Sequence, residues 1–174
     1  SFDIEEVGET QMGRWGKCKL LTVGFGHGIA TTLLQLTKGY SIISNGGFDV
    51  NPTLIKKEKH KKAERILKKG VSKKINPILR KIVSTKEGTA SFANVNGYEI
   101  GGKTGTADIA SAGGYSKKKI NTFASVFPTS NPKFVLVVML DEPKANKEFI
   151  YYYRDGRNPY KGNWRNTAGW TTVW

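Results

Sequence analysis

From Gly97 onward the chain is punctuated so closely that it has few ways to fold. Three runs have the two-residue alternation or the apolar density of strands: Gly97–Thr106, Asn121–Phe127 and Phe134–Asp141. They are separated by turn-rich pieces, Ser111–Lys119 and Pro128–Pro132. Parallel neighbours need a crossover of about a dozen residues or more, usually a helix, and neither connection holds one. The three strands are therefore expected to be antiparallel neighbours. The last of them, from Phe134 to Leu140, is apolar throughout, which predicts a central strand covered on both faces. It is also the longest apolar run in the chain, and it is far too short to cross a bilayer as a helix.

Before the strands the period changes to helical. Gly24, Gly26 and Gly28 lead to Thr31 and Thr32, either of which can cap a helix that carries Leu33, Leu36, Tyr40 and Ile43 at helical spacing. Asn45-Gly46-Gly47 supplies its left-handed stop. Asp49–Ile55 reads as a short edge strand, the place where Pro52 is tolerated. A second helix is expected to start at Asn76 with Pro77 at its first position, turn Ile78, Leu79, Ile82 and Val83 inward, and end at Gly88. Helices followed by an antiparallel sheet make an α+β domain, and 174 residues suit a single one.

The formal net charge is +14, and most of it lies between Lys56 and Lys81. Clustered lysine fits a nucleic acid or an anionic membrane. It also fits a solvated loop and helix face in a lysine-rich protein. No aromatic residue interleaves this stretch, so it offers no base-stacking platform, and it is read as the solvated face. Cys18 is the single cysteine, which excludes an internal disulfide and any multi-cysteine metal site. His27, between glycines and without a visible carboxylate partner, is read as a loop residue.

Residues 97–108, GYEIGGKTGTAD, admit two chemistries. Gly97-x-x-x-x-Gly102-Lys103-Thr104 satisfies the phosphate-loop pattern of nucleoside triphosphatases, and Asp141-Glu142 after an apolar strand even resembles their magnesium-binding acids. A phosphate cradle, however, needs a helix whose N-terminus begins at the Lys-Thr pair. Gly105 follows Thr104 directly, Gly113-Gly114 comes soon after, and each glycine costs a helix about 1 kcal/mol relative to alanine. As an extended strand the string is coherent. Lys103 brings a positive charge, Thr104 and Thr106 bring hydroxyl donors, and the surrounding glycines admit close approach of a substrate backbone. Such a line suits gripping a carboxylate and aiming a backbone N–H at a developing oxyanion.

Read together, these segments resemble class B penicillin-binding proteins, the septal-type peptidoglycan transpeptidases. Gly28-Ile29-Ala30-Thr31-Thr32-Leu33-Leu34-Gln35, the Asn-Gly-Gly turn, Asn51–Lys57, Glu87-Gly88-Thr89-Ala90, Gly101–Ala107, Thr122–Pro128, Leu140–Lys144 and Thr167-Ala168-Gly169-Trp170 keep that family's order and approximate spacing. Departures are Leu33, where proline is usual, the absence of a glycine in Phe123–Phe127, and a lengthened stretch from Asn146 to Asn166. The resemblance implies a penicillin-binding, serine β-lactamase-like transpeptidase domain, an antiparallel sheet packed against helices. It implies a serine that attacks the D-Ala-D-Ala end of a stem peptide and passes the acyl group to an amine. Lys103, Thr104 and Thr106 would bind the terminal carboxylate, Gly105 would permit close approach, and the Thr106 N–H would form half of the oxyanion hole. Peptidoglycan stem peptides and β-lactams are the implied ligands, with cell-division or wall-synthesis proteins as partners and the cell envelope as location. No cofactor, metal or nucleic acid is implied, and membrane contact only through an N-terminal anchor outside the chain.

That chemistry needs three signatures, Ser-x-x-Lys for nucleophile and base, Ser-x-Asn for proton traffic, and Lys-Thr-Gly. Only the third stands where it should. Ser-x-Asn is absent, and Ser-x-x-Lys occurs at Ser116–Lys119 and Ser130–Lys133, both after Lys103 and in turns, as chance matches in lysine-rich sequence. The catalytic serine is therefore not expected in this chain, which reads as the C-terminal part of one transpeptidase domain cut at both ends. The alternative is a binding or scaffold module of the same fold that has lost its serine.

Overall fold

The protein's structure, a computed structural model, describes residues 11–12, 16, 19–24, 26, 28–56, 63–111 and 114–143. Its order is β1 (Gln11–Met12), α1 (Lys19–Gly24), β2 (Ile29–Ala30), α2 (Leu33–Ser44), α3 (Val71–Ser84), a 3-10 turn at Ser91–Ala93, β3 (Gly101–Ser111), β4 (Gly114–Phe127) and β5 (Phe134–Asp141). β1 and β2 form a small antiparallel pair. The other three strands form one antiparallel sheet in the order β3-β4-β5, as the short connections require. Cys18, His27, Lys57–Lys62 and everything after Pro143, including Asn146–Asn166 and Thr167–Trp170, lie outside the described residues.

α2 starts where the sequence places it. The Thr32 hydroxyl accepts from the Gln35 N–H at 3.1 Å, and the Gln35 side chain accepts from the Thr32 N–H at 3.0 Å, a reciprocal cap. Losing such a cap costs about 1 kcal/mol. The helix stops because the Asn45 carboxamide takes the N–H groups of Gly47 and Phe48, while Gly46 and Gly47 adopt φ of 99° and 87°. Both glycines are needed for that turn, and a Cβ on Gly47 would also stand 2.7 Å from the Leu67 Cβ.

α3 differs from expectation. It begins at Val71, five residues before Asn76, so Pro77 lies inside it. The extra turn and a half is held by tertiary contacts. The Ser72 hydroxyl accepts from the Gly46 N–H at 2.9 Å, and the Asn76 carboxamide donates to the Ser44 carbonyl at 3.2 Å. Ser72, Asn76, Leu79 and Val83 form the buried stripe, whereas Ile78, expected inward, is 60% exposed. No strand element forms over 49–55; Phe48 bridges Arg65, and Thr53 takes part in another isolated bridge. Lys38 on α2 ties Asp49 down at 3.1 Å, and this ammonium holds the carboxyl below its ordinary range.

α2 rests on β4 and β5, and α3 rests on β3 and on α2, so both helices cover one face of the sheet. Val83 and Val126 are fully buried at that junction, with Ile42, Leu79, Ala90 and Ala124 around them. The sheet itself departs from expectation twice. β3 starts four residues late, after a left-handed turn at Gly97 and Glu99, and the hairpin continues through most of Ser111–Lys119, with a register shift between Asp108 and Ala110. β5 is the end strand of the described sheet, not a central one. None of its residues is fully buried among the described residues: Phe134, Leu136 and Met139 are exposed, and Val135, Val137, Val138 and Leu140 are half-buried. An apolar run reports that a strand is buried somewhere, but it does not specify which neighbour buries it.

Candidate active-site wall

β3 is the opposite end strand of the sheet, so its outer edge is free of a partner strand among the described residues. The Lys103–Thr106 run lies in the middle of this strand, paired residue by residue with Ala124, Phe123, Thr122 and Asn121 of β4. Two-residue alternation puts Thr104 and Thr106 on one face and Lys103 on the other. The Lys103 side chain is exposed and folds back, giving its ammonium to the Thr104 carbonyl at 2.6 Å. Charge and hydroxyls therefore occupy one short length of strand, on its two faces, with the ammonium turned to the backbone at Thr104.

The glycines around the lysine have an internal reason. A Cβ on Gly101 would collide with the Thr129 methyl and stand 2.8 Å from the Arg80 amide nitrogen on α3. On Gly102 it would come within 2.6 Å of the Ala124 carbonyl oxygen, and on Gly105 within 2.5 Å of the Thr122 hydroxyl. Real Cβ atoms do not sit so close, so these positions are glycine because β3 is pressed onto α3 and β4.

Both approaches to the strand are clamped. At its start the Arg80 guanidinium donates to the Ile100 carbonyl at 2.8 Å and to the Asn94 side chain at 2.9 Å. The Thr129 N–H donates to the Glu99 carbonyl at 3.0 Å, and the Ser130 hydroxyl bonds the Glu99 carboxylate. Beside the lysine, the Thr104 hydroxyl donates to the Thr89 hydroxyl at 3.0 Å. Thr89 sits on the turn that follows α3. That turn is fastened by the Gly88 N–H to the Thr85 carbonyl and by the Ala90 N–H to the Ile82 carbonyl. In the sequence Thr89 has only a place in the order of segments; nothing local signals that its hydroxyl meets one fifteen residues later.

The competing readings meet this geometry directly. After Thr104 the chain stays extended to Ser111, so no helix begins at the Lys-Thr pair and the phosphate-loop reading fails. Of the acids once matched to magnesium ligands, Glu142 is ion-paired to Lys118 at 2.7 Å, which raises that ammonium's affinity for its proton. Neither of the two late Ser-x-x-Lys strings stands at the start of a helix. Ser116 stands in β4 with Lys119 ion-paired to Asp108, and Ser130 in the β4–β5 turn is bonded to Glu99. A cleft lined by Ser44, Asn45, Asn76, Pro77, Thr129 and Ser130 includes none of Lys103, Thr104 or Thr106. The candidate site is thus an open strand edge, one wall rather than a closed pocket.

Known proteins resemble this chain in sequence and in fold. The chain is 35% identical over 145 residues to the peptidoglycan D,D-transpeptidase FtsI of Buchnera aphidicola, a match that takes in 80% of this chain and 25% of that protein. Its fold superposes on the transpeptidase domain of penicillin-binding protein 3 from Burkholderia pseudomallei with a TM-score of 0.70 and 28% identity, over 77% of this chain and 42% of that one. A structure of penicillin-binding protein 3 from Mycobacterium tuberculosis, solved with aztreonam, gives 0.69 and 30% over 76% and 34%. The chain spans between 22% and 33% of the length of the curated relatives it matches. The penicillin-binding protein transpeptidase domain model matches residues 2–156. With a domain model matched over most of its length and the fold in agreement, the chain belongs to the penicillin-binding protein transpeptidase domain family.

Proposed function

We propose that this chain is a single partial transpeptidase domain, and that the full-length protein is a peptidoglycan D,D-transpeptidase of the cell envelope. The chain supplies the carboxylate-binding wall, and the serine that faces it lies outside these 174 residues. The observation that carries the reading is the free edge of β3, where the Lys103 ammonium and the Thr104 and Thr106 hydroxyls share one stretch of a strand clamped at its start and alongside.

The substrate's terminal carboxylate needs a cation and hydroxyl donors at fixed positions, which that stretch provides. With the carboxylate held, the serine oxygen adds to the D-Ala-D-Ala carbonyl, the amide C–N bond breaks, and the terminal D-Ala leaves as an amine with the serine's proton. The Thr106 N–H faces the developing oxyanion. An amine from a neighbouring strand then displaces the serine and forms the cross-link. β-Lactams, which carry a carboxylate beside a reactive amide, enter the same way, a reading supported by the relatives solved with aztreonam and ampicillin. Relatives named FtsI favour a role in cell division, at the outer face of the inner membrane.

Labelling with a fluorescent penicillin tests the assignment. The full-length protein is expected to be labelled covalently and the 174-residue chain not at all. No labelling of the full-length protein would reject the transpeptidase reading, and labelling of the chain would reject the missing serine. Thr89 gives a finer test. Thr89→Val removes the acceptor of the Thr104 hydroxyl, so acylation of the full-length protein should slow by about tenfold, while Thr89→Ser retains the rate. An unchanged rate in Thr89→Val would remove Thr89 from the positioning of Thr104.

A further inference from the structure

The lysines of this protein fall into two populations. On the sheet they are neutralised: Lys118 is paired with Glu142 and Lys119 with Asp108. On α3 and the turn before it they are not. Lys68, Lys69, Lys73, Lys74 and Lys81 are exposed, and none has an ion-pair partner among the described residues. α3 contains no acidic residue, and between 65 and 84 the chain has no acid to offset seven cations. Lys74 and Lys81 stand two turns apart on one side of α3, and Lys68 and Lys69 precede its start, so like charges crowd one end of the helix. Such an array persists against its own repulsion, and an anionic partner would relieve it.

The helix geometry concentrates the charge. Ser72, Asn76, Leu79 and Val83 face the protein, which leaves Lys73, Lys74, Pro77, Ile78 and Lys81 outward. Ile78, 60% exposed, sits four residues after Lys74 and three before Lys81, so a bare aliphatic side chain is ringed by ammonium groups. Ile66, just before the Lys68-Lys69 pair, is also exposed. From 49 to 91 there is no Phe, Tyr or Trp to stack on a base. Aliphatic groups among flexible lysines match instead the boundary between lipid headgroups and acyl chains, where the lysine stems spread and the ammonium groups reach phosphate.

We propose that the outer face of α3, with the Lys68-Lys69 turn, is a docking surface for an anionic phospholipid bilayer. It holds the protein flat against the membrane through lysine–phosphate attraction and shallow insertion of Ile78. The proposal rests on charge and exposure and stands apart from the assignment of the β3 edge.

Co-sedimentation of the full chain with vesicles tests it, using phosphatidylcholine alone against phosphatidylcholine with about 30% phosphatidylglycerol. Binding is expected only to the anionic vesicles and to fall by about tenfold or more between about 0.1 M and about 0.5 M salt. Lys73→Glu with Lys74→Glu should reduce it at least about tenfold. These positions lie in the first turn of α3, where carboxylates favour the helix, and circular dichroism checks that folding is kept. Lys118→Glu with Lys119→Glu changes the net charge equally and should leave binding within about twofold. Ile78→Ser should weaken vesicle binding and leave retention on a short DNA duplex unaltered. Equal losses from both lysine pairs would overturn the proposal in favour of unspecific net charge. Binding to DNA stronger than to the vesicles, or indifference of vesicle binding to Ile78→Ser, would overturn it in favour of a nucleic acid or a plain polyanion.

Discussion

Lys103→Ala in the full-length protein is expected to lower the second-order rate of acylation by a fluorescent penicillin by about 10²- to 10³-fold. Its thermal midpoint should hardly move. Lys103 is exposed, and its one hydrogen bond goes to a carbonyl that water reaches as well, so truncation leaves no buried group unsatisfied. What is lost is the cation held at the Thr104 carbonyl, placed before substrate arrives. Lys103→Arg is not expected to restore the rate. A planar guanidinium is wider than an ammonium, and the ammonium here turns back sharply onto the next residue's carbonyl. A rate within twofold of the parent for Lys103→Ala would remove Lys103 from the site.

Gly88→Ala should have the largest effect on stability, a loss of about 2–3 kcal/mol with a matching fall in the thermal midpoint. The added methyl would run into the Ile82 carbonyl oxygen, with the carbonyl carbon at 2.7 Å and the Cα at 3.2 Å, all of them backbone at the end of α3. No rotamer relieves such a clash; the turn must lift off the helix. Lifting it exposes Ala90, now 6% exposed, and carries Thr89 away from Thr104. Acylation should therefore fall together with stability, whereas Thr89→Val lowers acylation alone. Gly97→Ala is the contrast: its φ of 87° disfavours alanine, but a Cβ there has open space, so the loss should be about 1 kcal/mol. A midpoint for Gly88→Ala equal to the parent's would mean that the turn is not fastened to α3 as described.

Much of this was legible in the residues because the signals were local. Thr32 with Gln35 three positions on, Asn45-Gly46-Gly47, and the short connections between strands each dictate one conformation from a few neighbours. Lys103-Thr104-Gly105 was legible as strand because a helix could not start there. What the sequence did not disclose depends on contacts distant along the chain. The start of α3 at Val71 is set by Ser72 and Asn76 reaching the end of α2, and these outweigh the punctuation of Pro77. Ile78 and Ile82 look alike in a periodic pattern, and only packing against the sheet decides that Ile78 faces outward. The glycines of β3 read as room for a substrate, yet Thr122, Ala124 and Arg80 already fill that room from inside. Thr89 acquires a role only when the turn after α3 is folded against β3.

A crystal structure of the full-length protein acylated by a penicillin tests the central claim most directly. The account predicts the drug's carboxylate within about 3 Å of the Thr104 or Thr106 hydroxyl, beside the Lys103 ammonium, with the ester on a serine that precedes Ser1 of this chain. An ester on Ser116 or Ser130, or a carboxylate bound away from β3, would contradict it.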